Sequence, residues 1–231
     1  MATLLIEIEG VMQSWGYRGR FSYRETALEP TKSGVTGIIA ACLGMKRDAD
    51  LAELNNLIFG VRVDSEGTIK KEFQTALNVI NTEGKNPQTQ LTYRQYLANA
   101  RFIAGVEGNL ELLTKIKTAI QNPYFSPFLG RKSYINSVPF LNPNVDNLVS
   151  SNLVEALSNY PYLKIPDESK TSDTIKLRLV RDAMPDEENE TQDYRQDVPV
   201  SFSNREFLTR KVITEWVDVK YSKQEDKNVS I

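Results

Sequence analysis

Histidine is absent from this 231-residue chain, and cysteine occurs once, at Cys42. Without histidine the chain cannot assemble Ser-His-Asp or Cys-His catalysis, a His-ligated metal site or the usual general base near neutral pH. A single cysteine permits neither an internal disulfide nor a zinc finger. Cys42 lies on the apolar face of a predicted helix, so we interpret it as a small buried hydrophobe. We therefore expect no catalytic residue, no metal and no cofactor.

Long hydrophobic runs are also missing. No apolar stretch approaches the length that crosses a membrane, and Glu7 and Glu9 interrupt the N-terminus where a signal peptide needs an apolar run. We expect a cytoplasmic protein with no membrane partner. Because 40% of the residues are hydrophobic, the chain can form a substantial core, as one large domain or two small ones.

Net charge is low, at −2, but the charges are unevenly distributed. Residues 182–197 carry seven carboxylates against Arg195 alone, which predicts an acidic, mobile loop. Residues 15–47 carry six basic side chains against Glu25 and Glu29. Such a basic segment is typical of a nucleic-acid contact, and it is also compatible with an ordinary solvated face.

Residues 30–44 join an amphipathic helix to a start that suits an anion. The apolar residues that recur along one helical face are Val35, Ile38, Ile39, Cys42 and Leu43. Ser33 is the predicted N-cap and Gly44 the predicted residue after the C-terminus. Unpaired N–H groups, the helix dipole and Lys32 would together attract a phosphate. The alternative is a capped core helix with a solvated lysine.

The pattern along the chain predicts an α+β fold in the order β-α-β-β-α-β, the ferredoxin-like order shared by RNA-recognition folds. Strands are predicted over residues 3–9, 57–63 and 101–106 and near 125–129. A second helix is predicted over residues 109–120, with inward residues Leu110, Leu113, Ile116 and Ile120. Residues 68–99 have a polar centre, which predicts a protruding hairpin or arm.

Two domains are expected. Residues 1–134 form the ferredoxin-like domain, with residues 68–99 as an insertion. Residues 135–231 form a smaller β-rich subdomain, with strands over residues 175–180 and 211–219 and with the acidic loop at residues 182–197.

A set of short motifs occurs in order along nearly the whole chain. The motifs are MQSWG at residues 12–16, Arg24 and Thr26, PTKSG at 30–34, CLG at 42–44, Lys46 and Arg47, YRQYL at 93–97, FLGRKS at 128–133 and FSNRE at 202–206. Together they resemble the CasD family, the subunit of the type I-E CRISPR Cascade complex that holds the 5′ handle of the crRNA. Each motif alone is weak, but the ordered set is specific.

The resemblance implies a ferredoxin-like (RRM-like) RAMP core in which residues 68–99 are the inserted thumb. It implies a non-catalytic subunit that binds and caps the crRNA 5′ handle in RNA-guided antiviral defence. The implied partners are the backbone subunit CasC and the large subunit CasA, with target DNA as a further candidate. The chain departs from the family pattern at Tyr93, where tryptophan is often found, and at residues 182–197, which resemble an insertion.

The expected RNA-binding residues combine the resemblance with the chemistry of the side chains. They are Gln13, Trp15, Arg24, Thr26, Lys32, Ser33, Gly34, Arg94, Tyr96, Gly130, Arg131, Lys132 and Ser133. Trp15 could stack on an RNA base or be a core residue. Arg94 and Tyr96 would share one face of an extended arm. Gly130 would allow close backbone approach, and the two cations after it would contact phosphates.

Two other functions remain open. Some relatives of this family are endoribonucleases that cut crRNA precursors, so a metal-independent endoribonuclease is the alternative. That activity resembles general acid–base catalysis by histidine with tyrosine and lysine, and the chain has no histidine. A ferredoxin-like protein unrelated to RNA would require the ordered motifs to be coincidental.

Overall fold

The structure is a computed structural model, and it describes residues 1–16, 23–80, 82–85, 87–162, 173–188 and 191–220. The strands are β1 (Ala2–Gln13), β2 (Tyr23–Arg24), β3 (Ile58–Ser65), β4 (Thr68–Val79), β5 (Gln88–Gly108), β6 (Leu148–Val149), β7 (Thr174–Asp182), β8 (Gln192–Ser201) and β9 (Glu206–Lys220). The helices are α1 (Lys32–Cys42), α2 (Ala52–Asn55), α3 (Leu110–Gln121) and α4 (Leu153–Asn159). None of the helices in these ranges is long and apolar enough to cross a membrane.

Within the described ranges, all the strands belong to one mainly antiparallel sheet in the order β6-β1-β5-β3-β7-β9-β8. Strands β2 and β4 pair with β5 outside this path. The strand predicted over residues 3–9 is confirmed, and β1 pairs with β5 from Ala2↔Gly108 to Gln13↔Leu97. The predicted mixed α and β content is therefore confirmed, and the central strands β1, β5 and β3 provide the platform for the other elements.

Both faces of this sheet are covered, because helices pack on each side. Leu4, Ile6 and Ile8 point into the main core, which contains residues of α1 and α3. Leu5 points into a second core that contains Leu157 of α4. The alternation of Ile6 and Ile8 with Glu7 and Glu9 is typical of a strand that is buried on one face only, and the structure corrects this interpretation. Glu7 is buried beneath α4, where it accepts hydrogen bonds from Tyr160 (2.8 Å) and Asn142 (2.7 Å).

Helix α1 begins one residue after Thr31, whose Oγ1 accepts a hydrogen bond from the Gly34 N–H at 3.2 Å. The prediction of Ser33 as N-cap is therefore wrong, since Ser33 lies in the first turn. Gly44 follows the helix with a positive φ of 74°, a conformation that glycine adopts without strain, as predicted. Burial raises the pKa of Cys42 to about 11, so its thiol stays protonated in the core.

The arm predicted at residues 68–99 is a long antiparallel hairpin of β4 and the first half of β5. Strand β5 continues without interruption into the core strand predicted at residues 101–106, so the two form one strand of 21 residues. The buried part of β5 begins at Leu97. The arm thus projects as an extension of the central sheet, and its true base lies a few residues inside the predicted boundary.

Two predicted details at α3 and after it are wrong. Leu110 is 57% exposed because it follows directly on the N-cap Asn109, before the helix turns its apolar face to the core. The strand expected near residues 125–129 is absent from this described region. The Leu129 N–H donates to Tyr134 O, and the Leu129 carbonyl accepts from Ser14 N. These bonds close a loop, so the backbone groups of Leu129 are not available to pair with a strand. On the side of β1 away from β5, the neighbouring strand is β6 instead, through Thr3↔Val149.

The C-terminal strands predicted at residues 175–180 and 211–219 are confirmed as β7 and β9. Strand β7 pairs with β3, so these strands extend the same sheet. The acidic segment 182–197 is not a single loop, because Asp182 ends β7 and Gln192 begins β8. The proposed division into domains after residue 134 stays a prediction.

Candidate nucleic-acid interface

A cleft of about 390 Å³ opens where β1 ends, α1 begins and the β8–β9 connection approaches both. Six of the predicted site residues line it, namely Trp15, Arg24, Ser33, Gly34, Gly130 and Arg131. The other lining residues are Ser14, Gly16, Glu25, Thr31, Gln196, Phe202 and Phe207. The fold therefore brings together motifs that are far apart in sequence.

Trp15 forms part of the cleft floor as a core residue. Its side chain is 1% exposed, and its Nε1 donates to Gln13 Oε1 at 3.1 Å. Gln13 is itself fully buried and donates to the Ala100 carbonyl at 2.7 Å. A methyl group on Gly34 would come within 2.8 Å of the indole ring, so the helix packs directly on it. Trp15 is therefore a core residue and does not stack on a base, and its hydrogen bond to Gln13 holds the indole in place.

Thr26 also has a structural role. Its Oγ1 accepts from the Trp15 backbone N–H at 2.9 Å and donates to the Ala27 carbonyl at 3.0 Å. The Ala27 N–H in turn donates to Trp15 O at 2.7 Å. These bonds join the end of β1 to the segment before α1 and fix the position of Arg24 between them. Arg18 and Arg20, which contribute to the basic segment, lie outside the described residues.

The start of α1 already holds a carboxylate of the chain itself. Asp197 of β8 accepts from the Lys32 backbone N–H at 2.9 Å and from the Arg210 guanidinium at 2.6 Å. The Lys32 ammonium donates to Leu57 O at 2.8 Å and to Asp182 at 3.0 Å. Burial would lower the pKa of Arg210, but its bonds to these carboxylates raise it, so Arg210 stays charged.

This network changes the interpretation of two predicted features. The helix start and Lys32 are neutralised from within the protein, so they offer less to an external phosphate than the sequence suggested. RNA binding by Lys32 stays a prediction that would require breaking its ion pair. The acidic segment is partly neutralised as well, since Glu187 pairs with Arg181, which holds the pKa of that carboxyl down at about 2.

We expect Lys32→Met to destabilise the protein by about 3 kcal/mol, because it removes one partner from a buried ion pair but keeps the apolar stem. Urea unfolding measures this cost. Lys46→Met, at an exposed position, is the matched control and should change stability by less than about 0.5 kcal/mol. A stable Lys32→Met protein with weaker, less salt-dependent RNA binding would restore the phosphate-contact hypothesis.

Arg24 lines the cleft, and Arg94 lies beside it in the neighbouring strand. Strand β2 pairs in parallel with β5, and the register places Tyr23 beside Tyr93 and Arg24 beside Arg94. The two tyrosine rings stack 5.0 Å apart on one face, so the two arginines project together on the other. The Nε of Arg94 is buried and has no hydrogen-bond partner among the described residues. Two adjacent cations repel each other, and an anion between them removes that cost.

The loop after α3 fixes the base of the arm. Gly130 has a φ of 88°, and a side chain there would collide with Ser14 O at 1.9 Å, so this position requires glycine. Arg131 donates to Glu72 of β4 at 3.0 Å and to the Gln95 carbonyl at 2.9 Å, and it covers the Tyr134 ring. Arg131 is therefore engaged with the arm, although it borders the cleft.

The remaining predicted residues lie near the cleft but do not line it. Lys132 and Ser133 are exposed on the same loop. Tyr96 shares a face of β5 with Arg94, as predicted, but its ring packs near Tyr134 at 6.1 Å and against the main core. Among the described residues, no group of three or more His, Cys, Asp or Glu side chains could hold a metal ion.

Sequence reasoning missed one wall of the cleft. Gln196, Phe202 and Phe207 come from β8 and the turn to β9, more than 150 residues after Trp15. The motif at residues 202–206 is part of the family resemblance. It contains no cluster of cations, so the sequence did not predict it as part of the site. The aromatic residue Phe202 was the one feature of this motif that could have indicated a base-stacking wall.

The comparisons with known proteins identify the family to which the chain belongs. The family model described as "CRISPR-associated protein (Cas_Cas5)" matches residues 3–213. The chain belongs to this CRISPR-associated Cas5 family. A curated relative, the "CRISPR system Cascade subunit CasD" of Escherichia coli (strain K12), is 30% identical over 146 residues. That match covers 56% of this chain and 65% of the relative, slightly less than two thirds of its length.

Two solved structures resemble the chain over most of its length. One, described as "Crystal structure of Cas protein", is 37% identical with a TM-score of 0.75, and the match covers 96% of this chain and 99% of that one. The other, described as "CRISPR RNA-guided surveillance complex", is 28% identical with a TM-score of 0.78 over 94% and 91% of the two chains. The mixed α/β fold with its mostly antiparallel sheet is therefore shared with these two structures.

Proposed function

We propose that this chain is the crRNA-binding subunit of a type I-E Cascade surveillance complex and that it caps the 5′ handle of the crRNA. The observation that carries the proposal is the Arg24–Arg94 pair beside the cleft, two neighbouring cations that suit a phosphate, in a member of the Cas5 family. The likeness to CasD and to a chain of an RNA-guided surveillance complex supports the choice of RNA.

The proposed core is ferredoxin-like. Its elements β1, α1, β3, β5, α3 and β6 follow one another as β-α-β-β-α-β, and its four strands are neighbours in the order β6-β1-β5-β3. In this proposal the β4–β5 hairpin is the thumb. Arg131 and Glu72 hold its base against the cleft, so RNA bound at Arg94 would lie where the thumb leaves the core.

The proposed protein partners are the backbone subunit CasC and the large subunit CasA, with target DNA as a further contact. One face of the arm supports a protein partner, because Ile69, Phe73 and Leu91 alternate on it and are 46%, 66% and 46% exposed. Exposed apolar side chains that share a face are typical of a docking surface. The tyrosine stack of Tyr23 and Tyr93 continues the same face toward the core.

We propose a binding role without catalysis. Acid–base cleavage of RNA needs a group that exchanges protons near neutral pH, and the chain has no histidine to supply one. Purified protein incubated with a crRNA precursor, with and without magnesium, should leave the RNA intact while retarding it in a native gel. Site-specific cleavage that survives repurification and is abolished by substitutions in the cleft would favour the endoribonuclease alternative.

A further inference from the structure

The cleft has two chemically different walls. On one side, Arg24 lines it, and Arg94 lies beside Arg24 in the neighbouring strand. On the other, Phe202 and Phe207 line it from the β8–β9 connection. A phosphate suits the first wall and an apolar ring suits the second, so the cleft matches a nucleotide better than it matches a free anion.

The aromatic wall is held in place by the rest of the protein. Phe202 packs against the main core, close to Gly37 of α1, where an added methyl group would lie 3.7 Å from its ring. Phe207 lies opposite Pro199 in the β8–β9 register. The Gln196 side-chain amide donates to the Phe207 carbonyl at 3.2 Å and keeps these two residues together. Phe207 is half-buried, so part of its side chain faces solvent.

Charge and size decide which part of a nucleotide enters the cleft. Arg131 is engaged by Glu72 and Gln95, and Glu25 adds a carboxylate to the lining, so the interior is not strongly positive. A phosphate is therefore favoured beside Arg24 and Arg94. The volume of about 390 Å³ lies within the range of roughly 300–1,000 Å³ that is typical of small-ligand pockets.

We infer that the cleft holds one unpaired nucleobase of the bound RNA, stacked on Phe207, while the adjoining phosphate lies between Arg24 and Arg94. This inference rests on the proposed function and assigns a base contact within it. Trp15, the more conspicuous aromatic residue in the sequence, shapes the floor of the cleft and does not stack, because its ring is buried against α1.

The test combines base removal with substitution at Phe207. The probes are RNAs that carry the 5′ handle sequence of the cognate CRISPR repeat, each with a single abasic nucleotide at one handle position. For the native protein, we expect one abasic position to weaken binding by about 5- to 150-fold, the range of a lost base–aromatic stack. Phe207→Ala should weaken binding of the intact RNA by a similar factor and should remove the penalty at that one position.

Two further variants separate stacking from folding. Phe207→Leu keeps an apolar side chain without a ring, so it should fold normally in urea unfolding and still lose most of the abasic penalty. Leu208→Ala changes the next residue along β9, which is 60% exposed and does not line the cleft, and it should leave both affinity and penalty unchanged.

The outcomes also separate this inference from the proposed function. If every abasic RNA binds equally well, or if Phe207→Leu keeps the full penalty, the base pocket is wrong. Should Arg24→Gln with Arg94→Gln still weaken binding in that case, the handle-binding function stands without the pocket. If neither the arginine pair nor Phe207 affects binding, both proposals fail.

Discussion

Shortening the arm is expected to leave a folded protein that no longer joins the proposed Cascade complex. The change replaces residues 74–92 by Asn-Gly, which connects the paired residues Phe73 and Tyr93 through a two-residue turn that favours hairpins. It removes the outer arm but keeps Arg94, Glu72 and the clamp by Arg131. The stability cost should be small, because none of the described residues in the deleted segment is buried.

The loss of assembly should be large. The outer arm carries the exposed apolar side chains Leu77, Ile80 and Leu91, which are 71%, 63% and 46% exposed. Burying two or three such side chains against a partner contributes about 4 kcal/mol or more, so incorporation should fall by at least about 100-fold. Co-purification of the shortened chain with its neighbouring subunits and crRNA measures this, and thermal unfolding of the isolated chain controls for folding.

A narrower pair of variants assigns the effect to one face of the arm. Phe73→Ser with Leu91→Ser changes the apolar face and should impair assembly. Gln74→Ser with Gln90→Ser changes exposed positions on the opposite face of the same strands and should not. If the shortened chain unfolds, the arm is part of the core. If it folds and assembles normally, the thumb assignment is wrong.

Neutralising the arginine pair is expected to weaken RNA binding by at least about 100-fold at low salt. The variant is Arg24→Gln with Arg94→Gln. Hydrogen bonds to charged groups contribute about 1.5–3 kcal/mol each, and two of them are removed. The salt dependence should also flatten by about 1.4 in the slope of log affinity against log salt, or 0.7 per lost phosphate contact on a single strand.

Filter binding over a series of salt concentrations measures both quantities. Lys115→Gln, at an exposed position on α3, removes a positive charge away from the cleft and should have little effect on affinity or slope. Loss of affinity with an unchanged slope would mean that the pair supports the fold and does not contact phosphates. Equal losses in the Lys115 control would mean that only the overall charge matters.

Local patterns predicted most elements, because each of those elements is encoded within its own segment. Each signal comes from residues that are close together in the sequence. Examples are the apolar spacing of α1, the alternation in β1 and the polar centre of the arm. Two predictions were wrong, the inward position of Leu110 and the strand near residues 125–129. In both cases contacts with neighbouring residues determined the local structure. An N-cap left the first side chain outside the core, and a loop closed by Ser14 and Tyr134 used the backbone groups of Leu129.

The sequence predicted the motifs of the candidate site, but it did not predict which residues elsewhere in the chain bind to them. The sequence could not show that Asp182 and Asp197 return across 150 and 165 residues to Lys32, so the helix start looked open to an external anion. Acidic residues 182–197 likewise looked like a separate mobile loop. Strands β8 and β9 form a local hairpin, but its approach to Trp15 and the start of α1, which brings Gln196 and Phe207 into the cleft, is a long-range contact that appears only in the folded chain.

The most direct measurement is ultraviolet crosslinking of this chain in its native assembly, followed by identification of the crosslinked nucleotides and peptides. Crosslinks should map to nucleotides of the crRNA 5′ handle and to peptides that contain Arg24, Arg94 or Phe207. Crosslinks confined to the guide region, or confined to peptides remote from the cleft, would contradict handle binding at this site.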